Sequence, residues 1–349
     1  MSTAPVVVKL GTGLVVGEDG TVRTDLVHAR AREIAALVKA GEPVCVVSSG
    51  AIALGLPRLG LTRRPRSMAR LQAASALGQA GLQGAWDEAF GREEIPAAQI
   101  LLAGGDVADR TAYVNARQAF AELFRLGAVP VVNENDATAT DEITFGDNDA
   151  LAAQVAVLVR ARLLILLTEV EGVYSRAPGT PGAELLAEGG LAGEAEIGVG
   201  TELGRGGMGS KVVAAQMASA AGIPTVIAGG LGDSVLGPIL AGESRGTRFE
   251  PGEGGESAFK LWLRFGKPVA GRLHVDAGAQ RALVEKGASL LGVGVVRCEG
   301  GFEPGAAVEL VGPDGVVFGK GIAGAAADEL EGRPRGLEAV HRDRLVLYS

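Results

Sequence analysis

The sequence of 349 residues carries 33 lysines and arginines against 41 aspartates and glutamates, a formal net charge of −8, and 47% of it is hydrophobic. This composition can form a large core, and the length suggests about two domains. The negative charge argues against a protein that coats nucleic acid by neutralising its phosphates.

Cysteines and histidines are too few and too scattered to suggest a disulfide framework or a zinc site. They are Cys45, Cys298, His28, His274 and His341. The first residues lack the basic segment of a signal peptide, and no apolar run reaches the roughly 18 residues of a membrane helix. We therefore expect a cytoplasmic protein that does not insert into a membrane.

Short aliphatic runs alternate with longer alanine- and leucine-rich stretches from the first residues to about residue 245. The short runs predict strands at residues 6–10, 44–48, 99–102, 129–133, 163–168 and 224–228. The longer stretches predict helices at residues 24–41, 67–90, 111–126, 149–160 and 210–221. Strands that are apolar throughout are typical of a parallel sheet covered on both faces, so this region predicts an α/β/α sandwich over residues 1–250.

The composition changes near residue 250. Glycine and glutamate dominate the next residues, which have little to bury, and we place a linker at residues 251–268. Beyond it, glycine- and valine-rich runs at residues 291–297, 307–311 and 316–319 alternate with turns. Residues 269–349 therefore predict a small β-rich domain.

A lysine stands inside the first predicted strand. Burying the Lys9 ammonium is costly unless an anion meets it, and the glycine turn 11–13 that follows can bring backbone N–H groups close to a phosphate. Alternatively, Lys9 ends an edge strand and extends its ammonium to water. Residues 48–51 repeat the pattern after the second strand, at the edge where open α/β sheets bind ligands.

Residues 133–149 hold six acidic residues and no basic one, between a predicted strand and a predicted helix. A loop of this length is uncommon in a compact domain unless it is functional, and its carboxylates could bind an ammonium or a metal. The alternative is that Asp147 or Asp149 caps the following helix and the other side chains are solvated.

A second lysine follows the glycine-rich segment 204–209. Lys211 would lie in the first turn of a helix, where the helix dipole disfavours a cation, so a bound polyanion would stabilise this arrangement. A solvated loop is the alternative.

The glycines of residues 204–209 also spell G-x-G-x-x-G. They do not follow the strand of a first βαβ unit, which argues against a dehydrogenase. Ser210 separates Gly209 from Lys211, which argues against a Walker A loop.

Five segments, in chain order, resemble motifs of the amino acid kinase family. They are Val8-Lys9-Leu10-Gly11-Thr12, Ser48-Ser49-Gly50-Ala51-Ile52-Ala53, Asn133-Glu134-Asn135-Asp136, Gly146-Asp147-Asn148-Asp149 and Gly206-Gly207-Met208-Gly209-Ser210-Lys211. Val275-Asp276-Ala277-Gly278-Ala279 and Val340-His341-Arg342-Asp343 resemble the PUA domain. The resemblance covers nearly the whole chain. It implies a mostly parallel kinase sandwich followed by a PUA-like domain.

The resemblance implies ATP-dependent phosphorylation of the γ-carboxylate of L-glutamate, the first step of proline biosynthesis, with Mg²⁺ bridging the phosphates of ATP. It implies that glutamate binds to Ser49, Asp136 and Asn148. It implies contacts with ATP for Lys9, Gly11, Thr168, Glu169, Arg205, Gly206, Gly207, Met208, Gly209, Ser210 and Lys211. By analogy with related kinases, Lys9 and Lys211 would stabilise the transferring phosphoryl group, and Asp149 would hold both lysines.

Feedback inhibition by proline and a homo-oligomeric assembly are further expectations from the resemblance. RNA binding is not expected, because residues 270–349 contain nine basic and eleven acidic residues.

The sequence departs from the family pattern at two places. Glu169 stands where the family usually has aspartate, and Arg205, Gly209 and Ser210 stand where it usually has threonine, serine and threonine. Three alternatives remain open: a nicotinamide dehydrogenase, an RNA-associated PUA protein, and a family member that acts on aspartate, carbamate, acetylglutamate or UMP.

Overall fold

A computed structural model describes residues 3–103, 110–138, 147–189, 207–254, 257–267 and 269–348. The chain divides into two compact units, Met1–Ala258 and Phe259–Ser349. The division lies inside the stretch predicted as a linker, where a short helix α9 (Ala258–Leu261) continues into a π-helical turn (Trp262–Gly266). The linker bounds given above stay a prediction.

Seven strands of the first unit form one sheet. They are β1 (Val6–Leu10), β2 (Val44–Ser48), β3 (Ala97–Leu102), β4 (Val129–Glu134), β5 (Leu163–Thr168), β6 (Thr225–Gly229) and β7 (Thr247–Phe249). Their order is β3-β4-β2-β1-β5-β6-β7, and every neighbouring pair is parallel except β6 with β7. The predicted mostly parallel sheet is therefore confirmed, and β1 lies at its centre.

Eight α-helices among the described residues of this unit connect or flank these strands. They are α1 (Thr12–Val15), α2 (Thr24–Lys39), α3 (Ala51–Gly55), α4 (Met68–Gly91), α5 (Arg110–Arg125), α6 (Asp147–Val159), α7 (Met208–Ala220) and α8 (Leu236–Leu240). Aliphatic side chains of β1, β2 and β5 are buried among those of α2 and α4. The indole of Trp86 on α4 is fully buried and donates a hydrogen bond of 2.9 Å to Ser48 Oγ. Helix α4 is thereby tied to the end of β2.

The second unit is β-rich, as predicted. Its six-stranded sheet has the order β10-β8-β11-β12-β13-β9. The strands are β8 (Val269–Val275), β9 (Leu290–Leu291), β10 (Val295–Glu299), β11 (Ala307–Val311), β12 (Val317–Ala323) and β13 (Glu338–Leu347), with helices α10 (Ala277–Lys286) and α11 (Ala327–Glu331). The glycine- and valine-rich run at residues 291–297 forms two strands rather than one. A 3₁₀ turn at Gly292–Gly294 divides it into β9 and β10, which pair with different strands.

Within the described ranges, no helix combines the length and the apolar character needed to cross a membrane.

Candidate active site

The carboxyl ends of β1, β2, β4 and β5 meet at one edge of the sheet, because these strands are parallel neighbours. Lys9 lies near the end of β1, in register with Val47 of β2 and Leu166 of β5. Only 3% of Lys9 is exposed, so the alternative in which it ends an edge strand and reaches water is wrong. An ammonium buried in the central strand requires a counter-charge.

Asp149 supplies that counter-charge to two lysines at once. Its Oδ1 lies 2.5 Å from Lys9 Nζ, and its Oδ2 lies 3.3 Å from Lys211 Nζ. Ser210 Oγ donates a hydrogen bond of 2.7 Å to the same Oδ2. Asp149 is the third residue of α6 and is fully buried, so it does not cap that helix. Elements far apart in sequence, β1, α6 and α7, thus bring their charged groups to one point.

The charges of this cluster do not balance. Burial by itself would raise the pKa of Asp149, but the two lysine ammonium groups outweigh it and hold that pKa below its ordinary value. Burial lowers the pKa of Lys9, the Lys211 ammonium lowers it further, and Asp149 opposes both effects. With all three groups ionised, the cluster carries one excess positive charge. A buried positive charge beside glycine turns favours an anionic ligand.

The end of the glycine-rich segment contacts Lys211 at the amino end of α7. Gly207 is the N-cap residue, with φ of 105° and ψ of −150°, a conformation that side chains rarely adopt. Its carbonyl oxygen accepts hydrogen bonds from Ser210 Oγ at 2.9 Å and from Lys211 Nζ at 3.3 Å. Met208 and Gly209 lie in the first turn of α7. Lys211 occupies that turn as predicted, and the Asp149 carboxylate offsets its charge there.

Arg205 and Gly206 lie outside the described residues, as do residues 139–146 of the acidic stretch.

Two of the predicted glutamate-binding residues are joined by a hydrogen bond. Asn148 Nδ2 donates to Ser49 Oγ at 3.2 Å and to Asn133 Oδ1 at 2.9 Å. Asn133 in turn donates from Nδ2 to Gln79 Oε1 at 2.6 Å. These three side-chain amides, of Asn148, Asn133 and Gln79, form an amide chain. Because Asn148 precedes Asp149 on α6, this amide chain lies beside the lysine cluster. A carboxylate bound to Ser49 and Asn148 would therefore be close to two ammonium groups.

Asp136, the third predicted glutamate-binding residue, has a different partner. It is buried after the end of β4, and its Oδ2 accepts a hydrogen bond of 2.5 Å from Ser75 Oγ on α4. Burial raises the pKa of Asp136, although the Ser75 hydrogen bond and the nearby Arg64 guanidinium lower it in part. Ser75 and Gln79 are four residues apart on α4, so they share one helix face. That face joins Asp136 to the amide chain.

Ser75 and Gln79 were missed by the sequence analysis, and Asn133 was part of a motif without an assigned role. The helix that carries the first two is rich in alanine, leucine and glycine, and nothing local distinguishes two of its polar residues. Their contacts with Asp136 and Asn133 depend on which face of α4 lies toward β4, and the sequence pattern does not specify that face.

The end of β5 lies on the other side of β1. Gly11 N donates to Leu167 O at 3.3 Å, and Thr168 O accepts from Gly230 N at 2.7 Å. Glu169 follows Thr168 and is exposed, with its carboxylate 3.8 Å from Arg23. The predicted ATP-binding residues Gly11, Thr168 and Glu169 therefore lie at the same sheet edge as the lysine cluster.

Among the described residues, no group of three or more histidine, cysteine, aspartate or glutamate side chains could hold a metal ion. The Asp149 carboxylate is already engaged by two lysines and a serine. Magnesium in phosphoryl-transfer enzymes commonly keeps several waters and is bound by one or two carboxylates together with substrate phosphates. The described residues are compatible with a metal that is bound largely through substrate phosphates.

Comparison with known proteins gives two family matches. Residues 4–229 match the amino acid kinase family, and residues 271–342 match the PUA domain. A relative from Gloeobacter violaceus named glutamate 5-kinase is 45% identical, covering 98% of this chain and 99% of that protein. Relatives of the same name from Cupriavidus pinatubonensis and Geobacter sp. are 42% and 40% identical, each covering 98% of this chain and 97% of its own.

Among solved structures, a UMP kinase from Bacillus anthracis aligns with 71% of this chain and 96% of its own, at a TM-score of 0.49 and 16% identity.

Proposed function

Because this chain belongs to the amino acid kinase family, we propose that it transfers the γ-phosphoryl group of ATP to the γ-carboxylate of L-glutamate. Relatives that match it over nearly their whole length are named glutamate 5-kinase. The reaction yields L-glutamyl 5-phosphate and is the first step of proline biosynthesis. The observation that carries the assignment to this site is the buried Lys9–Asp149–Lys211 cluster beside the Ser49–Asn148 hydrogen bond.

The reaction needs no catalytic base. A γ-carboxylate is ionised at neutral pH, so one of its oxygens can attack the γ-phosphorus directly. A γ-carboxylate oxygen forms a bond to the γ-phosphorus. The bond between that phosphorus and the oxygen shared with the β-phosphate breaks, and ADP leaves. The enzyme must align the two anions and stabilise the charge on the transferring group.

Lys9 and Lys211 supply that stabilisation in our proposal. Lys9 would contact phosphoryl oxygens near the acceptor, and Lys211 would contact the side of the departing β-phosphate. Asp149 binds both ammonium groups through its two oxygens, so it fixes their separation before substrates arrive. Groups held in place in a buried site lose little energy to reorganisation during the reaction.

Glutamate would be bound by groups on both sides of this cluster. We assign the Ser49 hydroxyl and the Asn148 amide to its carboxylate end, because they lie beside the two lysines. We assign Asp136 to its α-ammonium, because an ionised carboxylate forms a strong hydrogen bond with that group. Burial raises the pKa of Asp136 in the free site. A bound substrate ammonium would lower that pKa and so favour the ionised carboxylate.

ATP would be bound by the turn after β1, the end of β5 and the amino end of α7. These places contribute Lys9, Gly11, Thr168, Glu169, Gly207, Met208, Gly209, Ser210 and Lys211 to the proposed contacts. Arg205 and Gly206 belong to the same proposal from the resemblance alone. Mg²⁺ bound to the phosphates would offset part of their negative charge.

Proline and the assembly of the chain belong to the proposal as well. Proline keeps the α-carboxylate and five-carbon skeleton of glutamate, so we propose that it inhibits by occupying part of the glutamate site. Inhibition that saturating glutamate fails to relieve would contradict this.

We also propose a homo-oligomer that acts in the cytoplasm and does not bind RNA. Sedimentation would check the assembly, cell fractionation the location, and an RNA titration the absence of RNA binding.

The function is tested by ATP turnover with a panel of acceptors: glutamate, aspartate, acetylglutamate, carbamate and UMP. Hydroxylamine should trap an acyl phosphate with glutamate and none with the other carboxylates. Turnover that prefers another acceptor would replace the proposed substrate, and binding of a reduced nicotinamide without ATP turnover would favour the dehydrogenase alternative.

A further inference from the structure

Two groups of opposite charge flank Gly11-Thr12-Gly13, the turn by which the chain passes from β1 into α1. A β-carbon on Gly11 would lie 3.9 Å from Lys9 Nζ. A β-carbon on Gly13 would overlap the carboxylate of Glu169, so this carboxylate rests directly against the glycine. A cation therefore stands at the beginning of the turn and an anion at its end.

Arg23 connects this anion to the turn. Its guanidinium donates a hydrogen bond of 2.6 Å from Nη1 to the carbonyl oxygen of Gly13, and the same nitrogen lies 3.8 Å from Glu169 Oε1. The backbone is fixed too, because Arg23 N donates to Val15 O at 2.8 Å. Arg23 thus contacts the turn from its place just before α2, and it belongs to none of the kinase-like motifs.

Glu169 belongs to the proposed ATP site, but its carboxylate needs a counter-charge there, because an uncompensated carboxylate would oppose the proposed function. The phosphates of ATP carry several negative charges, and an anion beside the turn would repel them. The lysine cluster has one excess positive charge, which the Glu169 carboxylate would cancel at the edge of the sheet. Arg23 restores the balance because its guanidinium is always charged in proteins.

We propose that Arg23 is a positioning residue for ATP, which holds the Glu169 carboxylate against Gly13 and offsets its charge so that the phosphates meet a positive turn. The inference rests on the proposed function, since that function assigns the turn to ATP. Arg23 acts through Glu169 and need not touch the nucleotide. Its removal should therefore weaken ATP binding without changing the chemistry at the lysine cluster.

A double-mutant cycle in the full chain tests this. The variants are Arg23→Ala, Glu169→Gln and the two combined, and the control is Arg162→Ala. Arg162 pairs with Glu42 at 2.7 Å, and its side chain is 37% exposed, the same fraction as Arg23. It precedes β5, at the opposite end of that strand from Glu169, so its loss removes the same charge from the surface away from the turn. The readouts are kcat, both KM values and calorimetric binding of a non-hydrolysable ATP analogue.

Arg23→Ala should raise the KM for ATP and the Kd for the analogue by roughly five- to twentyfold at low salt, because the pair is partly exposed and screened. kcat and the KM for glutamate should stay within about twofold of the parent. In the Glu169→Gln background the same substitution should cost less than about twofold, since no carboxylate remains to be offset. Arg162→Ala should leave the KM for ATP and the Kd for the analogue unchanged.

An equal loss of ATP affinity in both backgrounds would overturn the inference, because Arg23 would then act on the nucleotide without Glu169. The absence of any loss would overturn it too. A fall in kcat together with a rise in both KM values would mean that Arg23 only supports the fold. Failure of the proposed function is separate: it would appear in the parent chain as no trapped acyl phosphate, while binding of the ATP analogue would still report on Arg23.

Discussion

Replacing Asp149 by asparagine removes one negative charge from between two buried lysines and changes little else. Asparagine has nearly the same shape, and its carbonyl oxygen can still accept the hydrogen bond from Ser210. The Lys9 and Lys211 ammonium groups, which lie 2.5 and 3.3 Å from the two Asp149 oxygens, would face an uncharged amide and lose their counter-charge. Both lysines are more than nine-tenths buried, so water cannot replace it.

The expected loss of stability is about 3–5 kcal/mol, the usual result of removing one partner from a buried ion pair. The Asp149 side chain is only 1% exposed, so solvent does not screen the two ammonium groups. One lysine should then lose its proton more readily, because the other ammonium remains close. We therefore expect kcat to fall on the order of 10²-fold or more, as for other losses of fixed electrostatic stabilisation.

Urea unfolding would measure the stability, and hydroxamate formation from glutamate would measure kcat in the same preparations. Asp87→Asn is the matched control, because Asp87 lies exposed on α4 and should change stability by less than about 0.5 kcal/mol. An Asp149→Asn enzyme that unfolds within about 1 kcal/mol of the parent and keeps kcat within about tenfold would refute the reasoning about the shared carboxylate.

Three other predictions concern separate parts of the chain. Lys9→Ala and Lys211→Ala should each lower kcat on the order of 10²-fold or more while raising the KM for glutamate much less, and near-normal kcat in either variant would remove that lysine from the proposed role. Ser75→Ala should move the acid limb of kcat/KM for glutamate to higher pH, because it removes a hydrogen bond that lowers the already raised pKa of Asp136, and an unchanged profile would separate Asp136 from substrate binding. A chain ending at residue 258 keeps every described site residue and should retain glutamate-dependent ATP turnover, so a folded but inactive truncation would show that the second unit takes part.

The strands of the central sheet could be predicted closely from the sequence. The observed bounds of β1, β2 and β5 coincide with the predicted ones, because each is an unbroken buried run that ends at a polar residue or a glycine turn. The run at residues 291–297 contains a break that the sequence does not show, because apolar residues continue through the 3₁₀ turn and hydrophobicity alone does not mark it.

The charged residues of the site could be predicted in part. Lys9 and Lys211 were singled out because each violates a local rule, one as a cation in a core strand and the other as a cation at the beginning of a helix. Their common partner Asp149 came from the resemblance. Ser75, Gln79 and Arg23 could not be found, because their contacts depend on how α4 and the chain before α2 cross the sheet edge, and no sequence pattern encodes those crossings.

The central claim is that an oxygen of the glutamate γ-carboxylate attacks the γ-phosphorus of ATP, and an isotope measurement tests it most directly. The enzyme would be supplied with L-glutamate carrying ¹⁸O in both γ-carboxylate oxygens, together with ATP and hydroxylamine. Because hydroxylamine attacks the acyl carbon, the released phosphate should contain one ¹⁸O atom and the hydroxamate should keep the other. Released phosphate without ¹⁸O would show that the phosphoryl group went to water or another acceptor, and would contradict the account.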